Sequence, residues 1–365
     1  MLRALIRMLN LDDLHSALKQ TPGYEGLARD ALRPLKAQGL AHDHVTLGTS
    51  GVLARVPKQS QFGYAAADNL AYQAACFARV SRSGHGPKLH GILQPSERLP
   101  MGALLVEFID GRPPRLPEDL PALAAAMAAV HSLPLPPEHA RPPLENHADP
   151  IAGALAEIER QAVFIPEAGL EPDARQEIER ELAWARGFAA RLEGEQPLTL
   201  VLTDTHPGNF LIRPDGTAAI VDLEKALYGS PGTDLAHHTV YSSTTWDTEV
   251  HAELTREEVA AFYRGYLEKA DPALARALRP WLVPMRRITW LRAITWCVKW
   301  SVAHRRAKLE AKQAAASTED WSAENTDPAL IAHVADRVAT YLSPKILRRM
   351  TGEWREEPTL ESLIG

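Results

Sequence analysis

Three side chains that offer oxygen ligands lie close together near the middle of the chain. Asp204 and Asn209 are five residues apart in a loop-forming stretch, and Asp222 ends an apolar run further on. Two short apolar runs, residues 210–212 and 218–221, flank Arg-Pro-Asp-Gly and predict a β-hairpin. The hairpin would return Asp222 to the side of Asn209. A carboxylate that deprotonates a hydroxyl, beside two oxygen ligands for Mg²⁺, is an arrangement suited to phosphoryl transfer.

The same stretch resembles the Brenner-type motif of the aminoglycoside phosphotransferase and choline kinase family, His-x-Asp-x-x-x-x-Asn followed by Ile-Asp-(Trp/Phe/Leu)-Glu. The resemblance implies that Asp204 is the catalytic base and that Asn209 and Asp222 hold the metal. Glu224 occupies a position that is often acidic in the family. Residues 232–236 resemble the downstream segment Gly-x-x-x-Asp-Leu-Ala, in which the aspartate braces the catalytic loop.

The resemblance also implies a fold and cofactors. The expected fold is α+β and protein-kinase-like, with two lobes. Residues 1–109 would form a small N-terminal lobe with leading helices and an antiparallel nucleotide-binding sheet. Residues 110–365 would form a larger, mostly helical C-terminal lobe with the catalytic loop and the substrate site. The expected cofactors are ATP and Mg²⁺, and the expected acceptor is a hydroxyl of an aminoglycoside, amino alcohol, sugar or related metabolite.

Two positions depart from the family's motif. Leu202 stands where the family has histidine, and Thr203 stands where glycine is frequent. Since that histidine is largely architectural in the family, its loss bears on loop geometry more than on chemistry. Loops favour Asp, Asn, Pro and Gly in any case, so the five-residue spacing alone is weak. The hairpin and the two downstream motifs, in the family's order, favour the kinase-like interpretation.

Strand candidates in the small lobe are residues 31–36, 44–47 and 52–56. The family's phosphate loop lies between its first two strands, so Gly39 to His42 is the better match and Gly48 to Gly51 the next turn. Glycine there would let backbone N–H groups approach phosphate. A plain turn is the alternative interpretation.

Arg55 stands on the third strand, where relatives carry a cation that contacts the nucleotide phosphates. The helix that follows should supply an acidic partner, but no glutamate occurs between Arg55 and Glu97. Asp68 and Gln73 remain open as partners. The alternative is an arginine that merely faces outward from the strand.

Residues 102–111 form an apolar run that ends in Asp-Gly and resembles the family's hinge between the lobes. In that role the Glu107 carbonyl and the Ile109 N–H would bind adenine. A buried strand of another kind is the alternative. Residues 120–133 repeat apolar residues at helical spacing and match the first helix of the large lobe.

The substrate site is expected between the catalytic loop and the helices after it. Trp246, Trp296 and Trp300 are candidate lining residues, and the last two share a helix face. Aromatic faces suit both quaternary ammonium groups and sugar rings. The alternative is that these tryptophans belong to the core.

Composition limits the class of protein. A hydrophobic content of 45% and a charged content of 24% are those of an ordinary soluble protein, and 365 residues suffice for two lobes. A net charge of −6 argues against nucleic-acid binding. No apolar stretch is long enough to span a membrane. With two cysteines and no signal peptide, we expect a cytoplasmic monomer or homodimer.

Two other functions remain open from the sequence. One is a catalytically silent, kinase-like nucleotide sensor or scaffold. The other is a relative that transfers a different part of ATP, such as an adenylyl group. The sequence does not identify the acceptor.

Overall fold

The computed structural model describes residues 9–35, 41–192, 194–309 and 328–365. An antiparallel sheet of five strands, in the order β1-β2-β3-β5-β4, lies in the N-terminal part. Its strands are β1 (Leu32–Pro34), β2 (His42–Leu47), β3 (Val52–Pro57), β4 (Leu89–Leu93) and β5 (Ala103–Glu107). Two helices accompany the sheet, α1 (Leu11–Leu18) and α2 (Ala66–Val80). Gly39, a predicted phosphate-loop residue, lies outside the described residues.

Alternating side chains of β5 cover the two faces of this sheet, as the period of a strand requires. Leu105 packs in the cluster that contains Leu14 and Leu18 of α1. Leu104 belongs instead to the cluster on the α2 side, together with Phe77. Core side chains therefore pack against both faces of the sheet.

The β2–β3 hairpin closes through two glycines with left-handed backbone. Gly48 has φ 60° and Gly51 has φ 70°, conformations that glycine adopts without a steric cost. The register pairs His44 with Arg55 across the two strands. This pairing fixes the position of Arg55 along β3 relative to β2.

Helices dominate the remainder of the chain. They are α3 (Leu120–His131), α4 (Pro150–Ala162), α5 (Pro172–Ala190), α6 (Pro231–Thr239), α7 (Tyr241–Thr244), α8 (Arg256–Lys269), α9 (Pro272–Leu278), α10 (Leu282–Leu309), α11 (Pro328–Tyr341), α12 (Pro344–Gly352) and α13 (Leu360–Ile364). The predicted α+β architecture, with an antiparallel sheet followed by a mostly helical part, is thus confirmed. The predicted boundary after residue 109 falls in the connection between β5 and α3. No helix of the described residues is long and apolar enough to cross a membrane.

Two small strand pairs lie among these helices. Strand β6 (Thr199–Val201) pairs with β9 (Leu227–Gly229), and β7 (Phe210–Ile212) pairs with β8 (Ala218–Ile220), each antiparallel. The β7–β8 pair confirms the predicted hairpin. The β6–β9 pair holds both ends of the segment that carries Asp204, Asn209 and Asp222, and the β7–β8 hairpin lies within it.

Candidate active site

A buried carboxylate fixes the start of the catalytic loop. Both oxygens of Asp234, in α6, accept backbone N–H groups: Leu202 N at 2.7 Å and Thr203 N at 2.8 Å. His131 Nε2 lies 3.0 Å from the same carboxylate, and both side chains are fully buried. The Leu202 side chain is also fully buried, in the apolar core. The loop therefore keeps its position without the family's histidine, because the backbone N–H groups provide the anchor.

Thr203 holds a strained backbone conformation directly before Asp204. Its φ of 63° is left-handed, which a β-branched residue rarely adopts. The N–H bond to Asp234 and a bond from Thr203 Oγ1 to the Lys225 carbonyl, 3.0 Å long, hold it there. The loop geometry thus requires a positive φ at this position, which explains why glycine is frequent there in the family.

Asp204 is paired with a lysine. Lys225 Nζ lies 2.7 Å from Asp204 Oδ2, and the two side chains are 28% and 25% exposed. Burial acts to raise the pKa of the Asp204 carboxyl, but the Lys225 ammonium outweighs it and holds that pKa well below its usual range. The same pair raises the pKa of Lys225. Asp204 is consequently an ionised acceptor at neutral pH, partly open to solvent.

Asn209 and Asp222 are brought together as the hairpin predicts. Val221 N donates to the Asn209 carbonyl at 3.0 Å, which places the next residue, Asp222, beside Asn209. Asn209 Nδ2 donates to the Asp204 carbonyl at 2.9 Å, which leaves the Oδ1 atom for a ligand. Hard oxygen donors of this kind suit Mg²⁺, which commonly takes one or two protein ligands plus phosphate oxygens. The donor set therefore fits a metal that arrives with a nucleotide.

Arg55 joins the sheet to the candidate metal loop, the segment of residues 221–224 that follows the hairpin. Its Nη2 lies 2.5 Å from Asp222 Oδ1 and 3.2 Å from Glu224 Oε2, while its Nη1 donates to Gln73 Oε1 at 3.0 Å. The side chain is only 3% exposed. Of the two partners left open by the sequence, Gln73 is the one in contact. The charge of Arg55 is balanced by the two carboxylates that follow the hairpin, not by α2.

Glu224 is the centre of a buried polar cluster. Besides Arg55, His42 Nε2 lies 2.8 Å from Glu224 Oε2, and Gln61 donates to Oε1. Gln73 Nε2 also reaches Oε2, at 3.4 Å. Burial acts to raise the pKa of Glu224, but the Arg55 charge and then His42 outweigh it and lower that pKa to about 2. The ionised carboxylate of Glu224 thus connects four residues of the small lobe to the segment that follows the hairpin. These are Arg55, His42, Gln61 and Gln73.

His42 is accordingly a packing partner of Glu224, 4% exposed at the start of β2. Lys225 contacts Asp204 and Gln61 contacts Glu224, and neither is among the predicted site residues. Lys225 directly follows residues 221–224, and this position in the sequence could have indicated that it lies near the site. Gln61 lies in a connection with no motif, so nothing local indicated it.

The predicted hinge residues lie at the end of β5. Glu107 N donates to the Lys88 carbonyl at 2.8 Å, and its carboxylate accepts Lys88 N at 3.1 Å. The Phe108 N–H donates to the Gly51 carbonyl, and Ile109 is buried. The end of β5 is therefore tied to the residues that directly precede β4 and β3.

The three candidate tryptophans do not form one surface. Trp246 packs edge-on against Trp296, with ring centroids 6.3 Å apart, and against His333 at 5.7 Å. Trp300 is 4% exposed and stacks on His304 at 4.6 Å. Trp246 and Trp296 are thus near one another, and Trp300 is part of the packed interior.

The sequence from residue 34 to 281 matches the model of a family described as the phosphotransferase enzyme family. The match covers more than half of the chain and includes strands β2 to β9 and helices α2 to α9. The chain belongs to the phosphotransferase enzyme family. This membership confirms the predicted kinase-like family and identifies the protein as a small-molecule kinase.

Solved structures show the same fold at low sequence identity. A choline/ethanolamine kinase family protein from Mesorhizobium loti is 17% identical, with a TM-score of 0.53 over 93% of this chain and 97% of that chain. Choline kinase from Cryptosporidium parvum is 14% identical, with a TM-score of 0.55 over 94% and 97%. A putative aminoglycoside phosphotransferase from Ralstonia eutropha is 13% identical, with a TM-score of 0.57 over 91% and 98%. The comparison with curated protein sequences gave no match.

Proposed function

We propose that this phosphotransferase moves the γ-phosphoryl group of Mg-ATP to a hydroxyl group of a small molecule. The observation that carries the proposal is the convergence of three side chains on one loop and hairpin. Asp204 lies in the loop, and Asn209 and Asp222 lie side by side at the ends of the hairpin. Arg55, on strand β3, contacts the carboxylate of Asp222.

Each residue has a distinct task in this proposal. Asp204 accepts the hydrogen bond of the acceptor hydroxyl and then its proton. Lys225 keeps that carboxylate ionised and oriented at 2.7 Å. Asn209 and Asp222 would hold Mg²⁺, which supplies charge neutralisation on the phosphate oxygens when it is bound. Positioning and electrostatics contribute most of the acceleration in such transfers, so a weakly basic carboxylate suffices.

The nucleotide would lie between the sheet and the catalytic loop. The backbone of Glu107 and Ile109 would contact adenine. Arg55 would contact the phosphates, and Glu224 would keep its guanidinium in place when Asp222 turns to the metal. The ion pair between Arg55 and Glu224 supports this division, since it does not depend on Asp222.

Mass-resolved screening of the purified protein with Mg-ATP tests the proposal. The panel contains aminoglycosides, choline-like alcohols, sugars, hydroxy acids and their phosphate esters, and Asp204→Asn serves as the matched control. We expect a product that is heavier by one phosphoryl group and absent in the control. A product that carries an adenylyl group, or equal turnover by Asp204→Asn, would refute the proposal. Mg-ATP binding without any transfer would favour a nucleotide sensor instead.

A further inference from the structure

The ammonium of Lys225 lies against the carboxylate of the candidate base. Its Nζ is 2.7 Å from Asp204 Oδ2, and the lysine side chain is 28% exposed. An ordinary aspartate is ionised at neutral pH in any case, so the pairing with Asp204 does not by itself account for a lysine at this point. The ammonium is therefore in a position to perform a second task in the same site.

The ion pair leaves hydrogen-bonding capacity on both partners. An ammonium has three N–H donors, and Asp204 Oδ2 is the one acceptor that Lys225 Nζ contacts within the described residues. Two donors are thus available to an anion that enters the site. Asp204 Oδ1 accepts no hydrogen bond from the described part of the chain, so it is available to the hydroxyl of an acceptor. Lys225 consequently does not compete with the acceptor for the base.

The backbone of Lys225 connects the two parts of the site. Its carbonyl accepts the hydroxyl of Thr203, the residue before Asp204, at 3.0 Å. Asp222, the candidate metal ligand, lies three residues before Lys225 in the chain. Lys225 therefore extends from the segment that carries Asp222 to the carboxylate of Asp204.

The γ-phosphoryl group must cross the same space in the proposed reaction. It starts on a nucleotide whose metal Asn209 and Asp222 would hold, and it ends on a hydroxyl that donates to Asp204. Reacting atoms lie about 3–3.5 Å apart before such a bond forms, and a base lies within about 3 Å of the atom whose proton it takes. The phosphoryl oxygens therefore pass close to Asp204, where the Lys225 ammonium lies.

We infer that Lys225 is a further catalytic residue, which donates hydrogen bonds to the γ-phosphoryl oxygens while it orients Asp204. The inference rests on the proposed function, because it assigns another residue to the same reaction. The acceptor oxygen bonds to the γ-phosphorus, and the bond from that phosphorus to the bridging oxygen breaks, with its electron pair leaving on ADP. The proton of the acceptor passes to Asp204, and Lys225 stays protonated. Its charge, held in place beforehand, stabilises the negative charge of the transferred group.

A comparison of ATP with ADP tests the contact, because the two ligands differ by the γ-phosphoryl group. Mg-ATP and Mg-ADP are titrated by calorimetry, without an acceptor, into wild type and Lys225→Met. At about 0.3 M salt, interactions between exposed charges more than roughly 6 Å apart are largely screened, so the difference reports a short-range contact. We expect Lys225→Met to bind Mg-ATP at least about tenfold more weakly, and Mg-ADP within about twofold of wild type.

Turnover with an acceptor found by the mass screen gives a second readout, at a pH on the plateau of both profiles. The kcat of Lys225→Met should fall about 100-fold or more, as when one preorganised donor to a developing charge is removed. The KM for the acceptor should stay within about threefold. Lys225→Arg keeps the charge and should retain part of kcat and of the affinity for Mg-ATP. Lys345→Met removes a lysine charge from the exposed surface of α12 and is the control, which should behave as wild type.

The two readouts distinguish a catalytic role from a structural one. A lysine that only supports the loop would affect the binding of both nucleotides alike, since neither effect would depend on the γ-phosphoryl group. Equal changes in the affinity for Mg-ATP and Mg-ADP in Lys225→Met, or an unchanged plateau kcat, would overturn the inference.

The same measurements separate this inference from the proposed function. If Lys225→Met selectively loses affinity for Mg-ATP but wild type phosphorylates no member of the panel, the proposed function fails and the contact with the γ-phosphoryl group stands. If wild type transfers the phosphoryl group but Lys225→Met keeps both its affinity for Mg-ATP and its kcat, the inference fails and the proposed function stands.

Discussion

Replacing Glu224 with glutamine tests the buried cluster that joins the small lobe to the metal loop. Glu224 is 3% exposed, and its pKa is lowered from an ordinary 4.5 to about 2. That difference corresponds to about 3 kcal/mol of stabilisation at neutral pH, in line with the ~3–5 kcal/mol lost when one member of a buried pair is removed. Glu224→Gln should therefore lower the free energy of unfolding by about 3 kcal/mol at pH 7.

The pH dependence of this loss has a definite sign. Because the folded pKa is depressed, the stabilisation is fully present above the unfolded pKa of about 4.5 and is lost as pH falls towards 2. At pH 3.5, one unit below the ordinary pKa, the difference in unfolding free energy between wild type and Glu224→Gln should have narrowed by about 1 kcal/mol. Urea unfolding at pH 7 and pH 3.5 measures both differences.

Glu159→Gln is the matched control for this experiment. Glu159 pairs with Arg186 on the surface, where the two side chains are 39% and 55% exposed. Such a pair contributes at most about 1 kcal/mol. Equal effects of the two substitutions at pH 7, or a Glu224→Gln difference that stays constant with pH, would refute the reasoning about the buried cluster.

Four further substitutions, at three positions, probe the catalytic loop. Thr203→Gly relieves a left-handed backbone strain of about 1–2 kcal/mol but loses one hydrogen bond of about 1 kcal/mol, so its free energy of unfolding should stay within about 1 kcal/mol of wild type. Thr203→Val keeps the strain and loses the hydrogen bond, so its free energy of unfolding should fall by about 1–3 kcal/mol. Lys225→Met removes the charge that lowers the pKa of Asp204, so the acid limb of kcat should move upward by about 1–3 pH units, and an unchanged profile would contradict the pairing. Asp234→Asn puts an amide donor in front of one of the two backbone N–H groups and leaves one buried partner unpaired. The free energy of unfolding, measured by heat or urea, should fall by about 3–5 kcal/mol. An unchanged free energy of unfolding would show that Asp234 does not anchor Leu202 and Thr203.

Local patterns were enough to predict the hairpin and the side chains it brings together. The turn sequence between two apolar runs determines the register that places Asp222 beside Asn209. Strands β1, β2, β3 and β5 and the helix at residues 120–131 follow equally from spacing and turn residues, whereas β4 (Leu89–Leu93) was not predicted. These elements are determined mainly by residues that are close together in the sequence, so the sequence is sufficient to predict them.

The charge balance of Arg55 was not predictable in the same way. Its carboxylate partners are Asp222 and Glu224, which lie more than 160 residues later in the chain. Nothing in the sequence near Arg55 specifies that contact, since it depends on how the sheet meets the hairpin. Gln73 could be identified only as one of two candidates.

The tryptophans illustrate a different limit. Helical spacing correctly puts Trp296 and Trp300 near one face of α10, but the helix does not specify what each side chain meets. Trp296 contacts Trp246, whereas Trp300 stacks on His304 in the interior. The neighbours come from other elements, so periodicity alone does not separate a lining residue from a core residue.

The division of labour between Asp204 and Asp222 is the central claim, and a calorimetric titration tests it most directly. Mg-ATP is titrated into wild type, Asp204→Asn and Asp222→Asn, which differ only in the charge of one side chain. We predict that Asp204→Asn binds Mg-ATP as tightly as wild type while losing turnover, and that Asp222→Asn binds it at least about tenfold more weakly. Equal binding by all three proteins, or weak binding by Asp204→Asn alone, would contradict the account.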